Sequence, residues 1–185
     1  MSLLITPQPD IVVRPLAQAD IAPFWQLRLR ALREHPRAFG PSYEEIRAVH
    51  ERLSPPIALD IWTIDDVKDC GEDVILVAET GGALCGFIGL EWDRFEKSRH
   101  RATVRGTYVA DEVQGRGIGK KLLGGLLDRA RARPHVDTLK LEVTVGQDPA
   151  IALYESAGFV RYGVDREGLI VDGERVDVLL MSMRM

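Results

Sequence analysis

Apolar positions along the chain follow two periods, and each change of period marks an element boundary. Ile11-Val12-Val13-Arg14-Pro15-Leu16 reads as a short first strand. Asp20 then offers a side-chain cap to a helix whose buried stripe is Ile21, Phe24, Trp25, Leu27, Leu29 and Leu32. That helix is expected to stop near His35, because Pro36 disfavours α geometry in the residue before it. Ser42 with Glu45 three residues on has the form of a capping box, opening a second helix that runs to about Leu53. Residues 54–73, with Pro55-Pro56 and Asp65-Asp66, carry the weakest pattern and are expected to form a loop or variable helix near the binding cleft.

From Val74 the pattern sharpens. Val74 to Ala78 is a buried strand, Gly81-Gly82 a turn, Leu84 to Trp92 a return strand, and Arg101 to Ala110 a third. Ile118, Leu122, Leu123, Leu126, Leu127 and Ala130 form one helical stripe, which Pro134 ends. In Leu139 to Val145 the apolar residues alternate with Lys140, Glu142 and Thr144, the period of a strand. Asp148-Pro149 predicts a cap and a proline at the first helical position, with Gly158 just past the helix end. Phe159 to Val164 is a strand, and Asp172-Gly173 turns a hairpin between Ile170-Val171 and Val176 to Leu180.

The order is strand, two helices, three strands, helix, strand, helix and a strand leading into a hairpin. Three strands joined by short turns pair antiparallel, whereas the strand–helix–strand from Arg101 to Val145 is one parallel crossover. This predicts an α/β chain with a mixed, mostly antiparallel sheet flanked by helices, rather than a doubly wound one.

Composition narrows the functional classes. At 185 residues the chain suits one domain over residues 1–185. A net charge of −4 argues against sequence-independent nucleic-acid binding. Cys70 and Cys85 form no CxxC pair, so neither a zinc site nor a disulfide framework is expected. MSLLITPQPD lacks a basic region followed by a long apolar stretch, and no apolar run reaches the roughly 20 residues of a membrane span. A cytoplasmic protein without membrane attachment is the expectation.

The chemistry concentrates in Gln114-Gly115-Arg116-Gly117-Ile118-Gly119-Lys120, between a strand and a helix. Three glycines in five residues let the backbone bend tightly and approach a ligand closely. Unpaired amides at a helix start favour anions, and Arg116, Lys120 and Lys121 add positive charge. A phosphate ligand follows. A Walker A loop ending at Gly119-Lys120 requires glycine at position 114 and Ser or Thr at 121, where Gln114 and Lys121 stand. A dinucleotide fingerprint from Gly115 requires glycine where Lys120 stands.

Gln114-x-x-Gly117-x-Gly119 instead resembles the Q/R-x-x-G-x-G/A pyrophosphate loop of the GCN5-related N-acetyltransferases (GNAT). Leu153-Tyr154-Glu155-Ser156-Ala157-Gly158-Phe159 resembles the L-Y-x-x-x-G-F segment of the same family. The resemblance covers Val74 to Val164 well and the first 70 residues only in outline. It implies a GNAT-like acyl-CoA N-acyltransferase fold with splayed central strands, and transfer of an acetyl group from acetyl-CoA to a primary amine of a small molecule or a protein or peptide. By position, Tyr108 and Val109 would bond the pantetheine arm through their backbone. The loop Gln114, Gly115, Arg116, Gly117, Gly119 and Lys120 would hold the pyrophosphate. Gln147 stands where the family commonly has asparagine. Tyr154 matches the tyrosine that protonates the departing thiolate, and direct attack on the thioester requires neither a metal nor a covalent enzyme intermediate.

A base is also needed. Deprotonating a lysine-like amine at pH 7 costs roughly 4.6 kcal/mol, an α-amine only about 1. The strand before the loop carries Arg101-Ala102-Thr103-Val104-Arg105 and no carboxylate, so Glu91 at the end of the preceding strand is the first candidate, ahead of Glu142 and His100. Two other readings remain at this stage. One is a non-catalytic acyl-CoA-binding module. The other is a basic patch of Arg94, Lys97, Arg99, Arg101 and Arg105, expected to be solvated or to meet an acidic substrate or cofactor phosphates rather than nucleic acid. The terminal hairpin leaves a homodimer open.

Overall fold

The structure, a computed structural model, describes residues 10–52 and 73–185. The expectation for residues 54–72, and Cys70 with it, lies outside the described residues. Seven strands form one sheet in the order β1-β2-β3-β4-β5-β7-β6: β1 Ile11–Pro15, β2 Val74–Thr80, β3 Ala83–Trp92, β4 Arg101–Val109, β5 Thr138–Thr144, β6 Val160–Val171 and β7 Glu174–Arg184. Only β4 and β5 pair parallel, across the crossover helix α3, Ile118–Arg131. Helices α1, Ile21–Glu34, and α2, Tyr43–Arg52, cover one face, and α3 with α4, Asp148–Ser156, lies against the other. No helix among the described residues is long and apolar enough to cross a membrane.

Each face has its own core. Leu122, Leu123 and Leu126 of α3 pack on Ile88, Leu90, Leu139 and Met181 of the sheet. Phe24, Trp25 and Leu32 of α1 pack on Val77 and Phe87, with Phe24 and Phe87 edge to face at 5.2 Å. Burying each such side chain stabilises the fold by about 1.5–3 kcal/mol.

One irregularity shapes everything below. In the β3–β4 ladder, Phe87 faces Tyr108 and Gly89 faces Arg105, so Ile88 alone opposes Gly106 and Thr107. The extra residue is a bulge, and Gly106 adopts the left-handed φ of 55° that glycine tolerates best. Below the bulge β4 pairs with β5 at three positions only, Arg101 to Thr103 against Thr138 to Lys140. Above it the two strands part, while β5 stays paired with β7 as far as Thr144. The splay that the resemblance implies is therefore present, and the β4 bulge lies at its root.

Three boundaries differ from the sequence reading. Asp20 precedes α1 but does not cap it: its carboxylate turns back to accept from the Ala17 N–H at 2.8 Å and pairs with Arg14. A strong local cation outcompetes a helix amide here. The first residue before α4 is Gln147, not Asp148, which already lies in the helix, and neither supplies a side-chain cap. Phe159–Val164 and the later hairpin strand are one element, β6, because Asp165 pairs with Val178 and Leu169 with Val176, letting three residues oppose Asp177 alone. By contrast, the capping box of α2 forms as read: the Glu45 N–H donates to Ser42 Oγ at 3.2 Å and the Ser42 N–H to Glu45 Oε2 at 2.7 Å.

Candidate active site

The glycine loop opens α3. Gly115 and Gly117 have φ of 74° and 75°, the left-handed region in which a side chain would strain the backbone. Gly117 is the residue before the helix, and no side chain caps it, so the first α3 amides keep their donors for an outside acceptor. A Cβ at either Gly115 or Gly117 would meet nothing within 4 Å, whereas one at Gly119 would press to 3.3 Å against Leu153. The first two glycines thus serve the loop's path, and the third serves helix–helix packing.

This loop forms one end of a groove of about 550 Å³. Thr107, Tyr108 and Val109 of β4 line one wall, and Gln147, Ala150 and Leu153 at the start of α4 line the other. The Ala110 N–H donates to Cys85 O in β3. Successive peptide groups in a strand point to opposite edges, so those of Val109 face the gap left by β5. The Tyr108 carbonyl is turned to β3, 2.9 Å from where a Cβ on Gly86 would stand. Of the two residues expected to offer backbone bonds, Val109 thus faces the gap, while Tyr108 lines the groove with its carbonyl turned away. The Gln114 amide donates to Val109 O at 3.1 Å and to Asp111 Oδ1 at 2.7 Å, bracing the turn between β4 and the loop.

A second space, about 290 Å³, adjoins the groove. Ala38 lines both, and the consecutive residues Gly106 and Thr107 line one each. Arg28 of α1, Arg105 of β4, Glu142 of β5 and Asp165 of β6 bring charge to this cavity. Arg28 is 2% exposed, and burial lowers its pKa to about 10.

Tyr154 lies in the core at 6% exposure, its ring edge-on to Phe159 at 5.9 Å. Burial pushes its phenol pKa up, and the Thr107 hydroxyl beside it works the other way. That contact is loose, since Thr107 Oγ1 is buried without a hydrogen bond of ordinary geometry. Thr107 thus stands between the Tyr154 phenol and the groove it lines.

The groove mouth is tied to α1 by a charged net. Arg30 grips Glu112 through two contacts of 2.7 Å and also pairs with Glu34. The Tyr108 hydroxyl donates to Glu34 at 3.2 Å, and His35 meets Asp111 at 2.9 Å. Burial pushes the Tyr108 phenol up to about 12, and the Arg30 guanidinium holds Glu112 down at about 2. Glu34, His35 and Asp111 bring ligand atoms within 4.8 Å of one another, a spacing that suits a metal. Arg30, Tyr108 and Gln114 already occupy their oxygens.

The expected site residues separate into two groups. Tyr108, Val109, Gln114, Gly115, Gly117, Gly119, Lys120 and Gln147 come together along the groove, and Arg116 is half-buried in the loop but outside its lining. Glu91 is bound to Arg105 at 2.9 Å and lines neither space. His100 sits at the opposite end of β4, its carbonyl accepting from the Asp137 and Thr138 amides. In the basic patch, Arg94, Arg101 and Arg105 pair with Asp73, Asp93 and Glu91. Sequence reasoning ranked Glu142 low and passed over Arg28, Thr107 and Asp165. For Arg28 a signal was present, a charged residue within the apolar stripe of α1.

Residues 30–159 match the sequence model of the acetyltransferase (GNAT) family. Over 100 residues the chain is 40% identical to the N-alpha-acetyltransferase RimI of Mycobacterium tuberculosis, covering 52% of this chain and 58% of that protein. It is 34% identical over 88 residues to the L-amino acid N-acyltransferase MnaT of Escherichia coli, covering 46% and 49%. The chain thus spans about half the length of the curated relatives it matches. Among solved structures, the ribosomal-protein-alanine N-acetyltransferase of Brucella melitensis superposes with a TM-score of 0.74 at 24% identity, covering 94% of this chain and 99% of that one. The YncA acetyltransferase of Salmonella typhimurium, solved with acetyl-CoA, gives 0.72 at 22%, covering 95% and 94%. At these identities the structures speak for the fold.

Proposed function

The chain belongs to the acetyltransferase (GNAT) family, and on that premise we propose that it transfers an acetyl group from acetyl-CoA to an amine by direct attack. One observation carries the reading: a groove with uncapped helix amides at one end and an unpaired strand edge along its wall adjoins a cavity bearing carboxylates.

The residues fit acetyl-CoA. The amides at the start of α3 and the Lys120 ammonium suit a pyrophosphate, and the Val109 peptide groups suit an amide-bearing arm. Gln147 has no cap bond to its own helix, which leaves its side chain available to the groove. When bound, the group supplies an acyl thioester. The chain's own part is to orient and to move protons. Glu142, on the wall of the cavity, accepts the proton that an ammonium must lose before attack; Glu91, held by Arg105, is less suited to this task. As the nitrogen–carbon bond forms and the carbon–sulfur bond breaks, the leaving thiolate needs a proton. Tyr154 holds one at its phenol oxygen, which is neutral at pH 7 and which burial makes harder still to ionise. Thr107 is the residue between them.

The test is a thiol-release assay with acetyl-CoA over amines of several classes, run beside thermal melting with and without CoA. CoA stabilisation with turnover, lost in Tyr154→Phe, is the expected result. Stabilisation without turnover on any class returns the reading to a binding module, and no stabilisation overturns it.

A further inference from the structure

The charges around the 290 Å³ cavity are segregated. The cations stand on α1 and β4, Arg28 and Arg105, the latter paired with Glu91; the anions stand on β5 and β6, Glu142 and Asp165. The anionic side is built with some care. Between Asp165 and Leu169, β6 carries a bulge in which Glu167 takes a left-handed φ of 54° and donates its N–H to Asp177 Oδ1 at 2.8 Å. At Gly168 a Cβ would stand 2.9 Å from Asp165 Oδ2, so glycine is what lets that carboxylate sit there. On the cationic side, Arg28 is almost wholly enclosed yet lines the cavity. A guanidinium offers five donors in a plane and matches a carboxylate fork. Phe39, Val104, Val143, Leu169 and Val178 add apolar surface to the wall, and Thr144 a hydroxyl.

We propose, resting on the acetyl-transfer reading above, that the acceptor is an ampholyte, a free amino acid with a neutral side chain whose amine lies against Glu142 and Asp165 while its carboxylate lies against Arg28. The polarity agrees with the reaction. An amine at Glu142 lies on β5, a strand that borders the gap, whereas a carboxylate at Arg28 lies on α1, which does not. Arg28 on the wall offers a cation to a carboxylate that a simple amine does not carry, and a peptide amino terminus carries its nearest carboxylate many bonds away. The apolar wall and small volume favour a neutral side chain of moderate size.

The experiment compares neutral L-amino acids with their methyl esters and with the matching amines that lack the carboxylate, using acetyl-CoA and thiol release on the full chain. The expected result is a kcat/KM at least tenfold higher for the amino acids. Equal turnover of acids and esters, or a preference for peptides, overturns the inference and leaves the acetyl-transfer reading standing. Arg28→Lys should raise KM for the acids and leave the esters unchanged, and Asp165→Asn should raise KM for both. Because Arg28 is buried, the wild-type comparison of acid with ester decides even if that variant fails to fold. Melting with each ligand and no CoA reads the cavity without the chemistry. Stabilisation by acids and not by esters supports the inference even if CoA fails to bind, and stabilisation by neither or by both overturns it.

Discussion

The groove and the cavity beside it are built in opposite ways. The groove presents largely backbone, the α3 amides and the Val109 peptide groups, and asks of side chains mainly that they keep out of the way. The cavity presents side chains from α1, β4, β5 and β6. A backbone site is specified by the residues that permit a path, so it survives wide sequence change and leaves a compact motif. A side-chain site is specified by a tertiary coincidence, can be respecified one residue at a time, and leaves no motif. The contrast accounts for a family with one cofactor loop and diverse acceptors.

The largest effect is expected at the buried residue to which we assign the proton for the leaving thiolate. Tyr154→Phe should lower kcat by roughly 10²–10⁴-fold while CoA-induced stabilisation is unchanged, because no water replaces an interior phenol. Glu142→Gln should cost less, on the order of 10²-fold in kcat/KM at pH 7 with recovery at higher pH, since an open cavity lets solvent take part of the proton load. Glu91→Gln should stay within about threefold of wild type, as expected for a surface ion pair with little energetic weight. An unchanged Glu142→Gln profile beside a collapsed Glu91→Gln profile would reverse our assignment of the base.

On the backbone side, Gly117→Val forces a branched residue into the left-handed region, which costs about 1–2 kcal/mol. Isothermal titration should show CoA binding weakened on the order of tenfold, with the amine KM unmoved. Lys120→Ala, which removes a charge but no amide, should weaken binding less and should lose its effect at high salt. If the lysine variant proves the more damaging, the groove is not a backbone site.

The smallest effect concerns the net that joins α1 to the groove mouth. The Glu112 pKa is lowered on folding, to about 2 from an ordinary 4.5, so its contribution to stability is present above the ordinary value and is lost as pH falls from about 4.5 toward 2. Glu112 is exposed and Arg30 half-buried, which limits that contribution to about 1 kcal/mol at most. Urea melts of wild type and Glu112→Gln should differ slightly at pH 7 and converge by pH 2.5.

The same contrast explains what the sequence made legible. The loop was readable because amides reaching a phosphate require glycine at particular steps, and Gly115 and Gly117 do take left-handed angles. The α2 capping box was readable because both of its bonds are local. Asp20 misled because the cap signature does not show that its carboxylate also has Arg14 and the Ala17 N–H within reach, and these win. Glu91 and Glu142 are hard to rank from sequence, since both are polar positions in alternating strands. They diverge only when β4 departs from β5, uncovering Glu142, and Arg105 reaches Glu91.

The β4 bulge has one more implication, concerning inheritance. Val104 and Tyr108 are four residues apart and in an unbroken strand would project the same way, yet Val104 joins the core beneath α3 and Tyr108 the core beneath α1. The bulge inverts the strand's parity. Loss of one residue near Gly106 would therefore not merely shorten β4; it would exchange inside for outside along everything downstream to the loop. Point substitutions can drift through this segment, but a single-codon deletion cannot, so lineages of this fold should vary β4 in composition and hold its length fixed.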